Sequence, residues 1–295
     1  MLGGQIAALG AAFLWSLSTV VYGRFGKSLS PLVLNLVKGI IAIAFITLTL
    51  VLQAKLRPEL PGVAVVWLLL SGAIGIGLGD TAYFTALNAL GARRTLLLES
   101  LAPPLTALLA LLFLSEQLSA IAWMGIFLTP LGVTWVIAER VPAKDGTSPQ
   151  LWRGVFWGLL AELAQATGAV ISRGALADTV VDPLWSGLLR IAAGVVVLVV
   201  LVAVRGPVVA QLQPLRSRQL LPWITLAAFL GTYLAIWLQQ VSLKYAPAGI
   251  AQALLATSPL FVLPIAAMMG DRVSWRAILG VMVAIGGVWL LISSS

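Results

Sequence analysis

The sequence predicts an all-α membrane protein: ten transmembrane helices arranged as two inverted-topology five-helix repeats around a central cavity. Three observations carry this expectation. The first is composition. The chain has 295 residues, 60% of them hydrophobic and 9% charged, with a mean hydropathy of +1.05. A soluble domain carries about 25% charged residues, so here the polar side chains are too few to cover a water-exposed surface, and the solvent must be lipid. The second is a series of ten long apolar runs. The third is a repeated spacing. Glu116 is followed by Gly125 and Gly132, and Asp271 is followed at the same steps by Gly280 and Gly287. Pro31 precedes Lys38 by the same distance that Pro183 precedes Arg190, and Pro103 and Pro259 lie at matching places. Halves with an odd number of spans insert upside-down relative to each other, a design found in many membrane proteins with a midplane site.

A spanning helix needs about 20 mostly apolar residues to cross roughly 30 Å of hydrocarbon. Runs at 5–22, 32–52, 63–86, 93–114 and 118–138 meet this in the first half, and 154–173, 184–204, 220–243, 248–269 and 274–292 in the second. The chain therefore divides into a first repeat at 1–138, a polar linker at 139–153 rich in Pro, Gly, Asp and Lys, and a second repeat at 154–295. The remaining loops are too short for a soluble catalytic domain. Met1–Gln5 lacks the basic segment of a cleaved signal peptide, so the first run reads as a retained span.

Lysine and arginine collect in cytoplasmic loops. One alternate set of loops holds Arg24, Lys27, Arg93, Arg94, Arg140, Lys144, Arg153, Arg205, Arg216, Arg218, Arg272 and Arg276; the opposite set holds Lys55, Arg57, Arg173 and Lys244. The linker is thus expected in the cytoplasm and both termini outside. The formal charge of +8 is spread over these short loops without the dense basic face that phosphate binding requires, which argues against nucleic acid as a partner. The sequence has no cysteine and no histidine. Thiol nucleophiles, thiolate metal sites and imidazole bases are excluded, and no paired-carboxylate motif replaces them, so neither an enzyme nor a cofactor is expected.

Charged groups at mid-bilayer cost about 2.5–3.5 kcal/mol even on the lenient insertion scale, so each needs a cavity or a partner. Lys38, Asp80, Glu99, Glu162, Arg190 and Lys244 stand in this position. In the eighth span Tyr233, Trp237, Gln240 and Lys244 recur at helical spacing. The repeat sets Gly77, Thr81, Phe84 and Asn88 of the third span opposite them. Two such faces meeting across a pseudo-two-fold axis predict a cavity. Asp80 and Tyr83 share a neighbouring face of the third span. Pro103 removes the helical hydrogen bond to the carbonyl of Glu99, predicting an irregular polar spot there. Glu162 and Gln165 share a face of the sixth span, and Trp15 and Ser16 occupy nearly the corresponding place in the first. Together with Gln252 these are the expected substrate-binding residues, on spans 1, 3, 4, 6, 8 and 9. Lys38 and Arg190 are expected to gate the site or to pair with its carboxylates. The glycines seven apart are expected to let helices approach closely, and Glu116 and Asp271 to cap the helices that follow them.

The segments LLLESLAPPLTALLALLFLSEQLSAIAWMGIFLTPLGV (96–133) and LLATSPLFVLPIAAMMGDRVSWRAILGVMVAIGGV (254–288) resemble the drug/metabolite transporter superfamily in its ten-span EamA-type branch. Pro103 and Pro259 match the family's fourth-helix proline, Glu116 and Asp271 its acidic turn residue, and the paired glycines its fifth helix. Arg190 matches a basic position that Lys38 fills with a different cation. The resemblance covers essentially the whole chain, with aromatic amino-acid exporters the nearest kind. It implies a multi-pass transporter of a bacterial inner membrane that exports small metabolites, aromatic amino acids above all, by alternating access; a monomer suffices, and a proton is a candidate coupling ion. A multidrug or lipid-type efflux protein of the same superfamily is the alternative, and it requires a wide apolar pocket open to the bilayer.

Overall fold

The computed structural model describes residues 1–25, 30–56, 60–140, 151–204, 220–268 and 274–294. Among the described residues, ten helices are long and apolar enough to cross a membrane: α1 (Leu2–Tyr22), α2 (Pro31–Leu52), α3 (Gly62–Leu90), α4 (Arg94–Leu114), α5 (Ala120–Ala138), α6 (Leu151–Leu176), α7 (Pro183–Val204), α8 (Leu220–Tyr245), α9 (Ala248–Ile265) and α10 (Trp275–Ser293). They correspond one for one to the predicted runs. Residues 141–150 of the linker and Asp271 lie outside the described residues.

Side-chain size is distributed inside-out. The fully buried positions are dominated by small residues such as Ala8, Ala11, Ala107, Ala166, Ala235 and Ala253, whereas Phe113, Trp289, Val196 and Met282 project outward. In water this arrangement would expose large apolar patches. In lipid, where tails are as apolar as leucine, helices gain by close packing through small residues, and bulky side chains can face the bilayer without loss.

Contacts obey the repeat. Helix α1 packs on α8 and α9 just as α6 packs on α3 and α4, while α2 meets α7, α4 meets α9 and α5 meets α10 across the pseudo-axis. The last pair explains the glycine spacing. A Cβ on Gly132 would collide with the backbone of Gly280 and Ala284, and one on Gly125 would lie 2.9 Å from the carbonyl of Gly287.

Helix starts follow local chemistry. The hydroxyls of Ser30, Ser119 and Ser274 accept from Val33 N, Ala122 N and Ala277 N, and prolines 31 and 183 begin α2 and α7, where a missing N–H costs nothing. Glu116 departs from expectation. Ser119 caps α5, and Glu116 instead reaches the other repeat, where Oε2 accepts from Ala248 N at 2.8 Å, the first residue of α9. Its Oε1 accepts from Arg173 Nε at 2.6 Å, and Arg173 Nη1 donates to the carbonyls of Leu243 and Lys244 that end α8. One carboxylate thus ties α6, α8 and α9 at the end of the molecule opposite the linker. The Lys55–Asp182 ion pair (2.9 Å) and the bond from Trp185 Nε1 to Lys55 O lie at that same end.

Candidate functional site

Two irregularities, each present in both repeats, shape the interior. Helix α3 winds as a π-helix over Ala73–Gly79, and α8 does so over Phe229–Leu234; these are the same register, since Gly77 lies opposite Tyr233 in the repeat. Such stretches widen the helix and leave carbonyls available to other donors. Helix α4 breaks between Glu99 and Ala102, and α9 between Leu255 and Ser258. The prolines at 103, 104 and 259 withhold N–H groups from the preceding turn, and the chain tightens to compensate. Leu101 N donates to Leu98 O, and Thr257 N to Leu254 O. The hydroxyls of Ser100 and Thr257 satisfy Leu97 O and Leu254 O at 2.6 Å each. Irregular backbone at this depth is tolerated only where protein or a cavity receives it.

Both kinds of interruption border a single central cavity of about 320 Å³, walled by Ile76, Gly231 and Thr232 from the π stretches and by Glu99, Ser100, Pro103, Leu255, Ala256 and Pro259 from the breaks. The cavity is displaced toward the linker end. Thr19, Asn35, Ile137 and Leu198 of its wall lie in the linker-side parts of their helices.

Of the residues expected at the site, Trp15, Lys38, Asp80, Tyr83, Glu99, Glu162, Gln165, Arg190 and Gln252 line this cavity. Lys38 Nζ stands 3.8 Å from Asp80 Oδ2, and Gln165 Nε2 donates to Asp80 Oδ1 at 3.2 Å. The indole of Trp15 is oriented by a 2.7 Å bond from Nε1 to Gly231 O, a carbonyl of the α8 π stretch. Positive charge comes from α2 and α7, through Lys38 and Arg190; negative charge comes from α3, α4 and α6, through Asp80, Glu99 and Glu162. The site therefore draws on α2, α5 and α7 as well as the six spans expected, through Asn35, Pro130, Val133 and Arg190 among others.

Ser16, Tyr233, Trp237, Gln240 and Lys244 are placed elsewhere. Ser16 Oγ bonds back to Phe13 O. Tyr233 shares a 2.7 Å hydroxyl bond with Thr49 and stacks on Phe45, and Trp237 packs in the same cluster between α2, α7 and α8. Gln240 is fully buried, its Oε1 accepting from Ser172 and Ser186 at 2.6 and 2.8 Å. Lys244 Nζ donates to Val181 O at 2.7 Å. The face of α8 turned to the cavity is instead Thr232, Ile236 and Gln239, one residue earlier at each step. The same shift holds in α3, where Ile76, Asp80 and Tyr83 line the cavity, and Thr81, Phe84 and Asn88 border a separate hollow with Ser30 and Arg153. The cavity-lining faces of α3 and α8 thus correspond in the two repeats, and both are rotated by one position, about 100° on a helix, from the expected stripes. The physical reason is that buried polar residues can bond one another as well as face a cavity: Gln240 Oε1 is taken up by two serines, although its Nε2 has no partner.

Asn35, Thr19, Thr232, Gln239 and Ser258 also line the cavity and were not anticipated. Asn35 was signalled by its place one turn before Lys38 on α2; the others carry no signal beyond polarity.

No curated protein matches this sequence. A solved crystal structure of a protein superposes on it with a TM-score of 0.80 at 16% identity, covering 97% of this chain and 95% of that one, which is a likeness of fold alone. The model of the EamA-like transporter family matches residues 2–138 and again residues 152–293. Ten apolar helices among the described residues, paired helix breaks at a charged central cavity and this double match lead to one conclusion: the chain is a multi-pass membrane protein that belongs to the EamA-like transporter family, within the drug/metabolite transporter superfamily.

Proposed function

We propose that this protein exports small metabolites from a bacterial cytoplasm across the inner membrane, amino acids with aromatic side chains foremost, by alternating access between its two repeats. The observation that carries the reading is the mixed character of the cavity wall, which sets Lys38 and Arg190 against Asp80, Glu99 and Glu162 with the rings of Trp15 and Tyr83 beside them. A volume of about 320 Å³ falls in the range of small-molecule sites. The lysine and arginine distribution puts the linker end in the cytoplasm, and the cavity leans toward that end, while ties through Glu116 and Lys55 hold the opposite end together. These features support a cytoplasm-facing state ready to load. Helices broken at the midplane suit a site that two halves expose in turn.

The test is counterflow in liposomes holding the pure protein, with labelled aromatic and aliphatic amino acids, sugars and lipophilic cations in parallel. Exchange of aromatic amino acids is expected. Transport of lipophilic cations with no amino acid carried would overturn the reading in favour of multidrug efflux. A pH-sensitive dye inside the liposomes tests whether a proton moves with the substrate.

A further inference from the structure

We infer that the cavity is a two-pole receptor for a zwitterion, in which Arg190 and Asn35 hold a carboxylate while Glu162 and Gln252 hold an ammonium group; this rests on the transport reading above and specifies its substrate chemistry. The observation behind it is a set of unsatisfied polar atoms. Arg190 is 3% exposed, and its Nε and Nη1 have no hydrogen-bond partner; both amide atoms of Asn35, itself 1% exposed, also lack one. Glu162 is 2% exposed with Oε2 unpartnered, and Oε1 of Gln252 is buried and unpartnered as well. All four residues line the central cavity.

Donors and acceptors left open inside a bilayer are costly, and water of the bulk cannot reach them without a cavity. The other described ion pairs show that this chain ordinarily satisfies its charges: Lys38 with Asp80, Lys55 with Asp182, Arg173 with Glu116. Asp80 is already engaged by Lys38 and Gln165. No ion pair within 4.0 Å is described for Arg190 or for Glu162. Arg190 is thus the wall cation without a described ion pair, and Glu162 and Glu99 are the wall carboxylates without one; Glu162 is the one with a buried unpartnered oxygen, and Asn35 and Gln252 are amides that can add a second bond.

The two pairs come from different helices. Asn35 and Arg190 are on α2 and α7, which pack together; Glu162 and Gln252 are on α6 and α9, which also touch. A guanidinium with open N–H groups donates charge-assisted hydrogen bonds to a carboxylate. A carboxylate beside an amide oxygen offers only acceptors, the complement of an ammonium. A simple anion would leave Glu162 unanswered, and a simple cation would leave Arg190 unanswered. A zwitterion satisfies both and enters with no net charge. Ile76, Leu96, Ile236 and Leu255 of the same wall provide the apolar bed for its side chain.

The experiment measures transport in liposomes of phenylalanine, phenylalaninamide, phenylpropionate and phenethylamine. The wild type is expected to favour phenylalanine over each of the three by at least about tenfold, the scale of losing one bonded charge. Arg190→Gln is expected to lose the preference over phenylalaninamide and keep that over phenylpropionate; Glu162→Gln is expected to do the reverse. Arg190→Lys and Glu162→Asp, which keep the charges, should retain both preferences at reduced rate. Wild-type ratios near one, or variants that slow all four compounds alike with ratios unchanged, overturn the two-pole assignment while leaving amino-acid transport standing. If the wild type carries aliphatic but not aromatic amino acids, with the same requirement for both poles, the poles stand and the aromatic preference falls. Transport of sugars or lipophilic cations with no zwitterion carried overturns both.

Discussion

At the scale of the residue, neighbours on one helix have opposite duties. Gln239 faces the cavity, and the Oε1 of Gln240 accepts from Ser172 and Ser186 away from it. Gln240→Ala leaves two buried hydroxyls without their acceptor and is expected to lower stability by about 1–3 kcal/mol, read as a fall in the melting midpoint of detergent-purified protein. Substrate preference should be unchanged. Gln239→Ala is expected to do the opposite, keeping the melting midpoint and altering transport. If Gln240→Ala melts like the wild type and shifts substrate preference instead, the assigned faces are reversed. The charged residues were legible in the sequence because an ionised group in an apolar run always demands an answer. Which answer it receives was not. Lys244 finds a carbonyl in the loop before α7, and Glu162 finds only the cavity. The difference depends on side chains far away in sequence.

At the scale of the element, the paired glycines and the paired breaks divide structure from function. Gly132 and Gly287 sit backbone to backbone against α10 and α5. Gly132→Ala and Gly287→Ala are each expected to destabilise by about 1–3 kcal/mol through overpacking, read as lower folded yield and melting midpoint. Gly3→Ala, with nothing near its Cβ, serves as the neutral control; equal behaviour of all three variants would remove the close-packing account. The helix breaks were half legible. Proline at 103 and 259 announced a lost hydrogen bond, but the π stretches of α3 and α8 carried no such mark, since they arise where neighbouring helices take up the released carbonyls, as Trp15 takes that of Gly231.

At the scale of the whole molecule, the ties opposite the linker connect the repeats, and the proposed alternating access requires them to release. The Glu116–Arg173 pair is mostly buried, with side chains 14% and 15% exposed, and it also holds the start of α9. The Lys55–Asp182 pair is far more exposed and is worth at most about 1 kcal/mol. The cysteine-free chain allows a single cysteine at Thr232 to be labelled with a membrane-impermeant maleimide from the side opposite the linker. Glu116→Gln is expected to raise that labelling several-fold and Lys55→Ala to change it little. Unchanged labelling in Glu116→Gln would mean that the tie is not a gate. A C-terminal reporter tests the orientation: alkaline phosphatase fused there is expected to be active and green fluorescent protein dark. By itself the sequence determined the solvent, the ten spans, the doubled architecture and the identity of the intramembrane charges, because hydropathy, odd span number and repeat spacing are local or periodic quantities. Only the tertiary structure decided which face of α3 and α8 turns inward, that Glu116 serves α9 in place of α5, and that Arg190 and Glu162 remain open while Lys38 does not. Those outcomes depend on which helices become neighbours, and a rotation of a single residue about a helix axis is enough to exchange a packing contact for a binding contact.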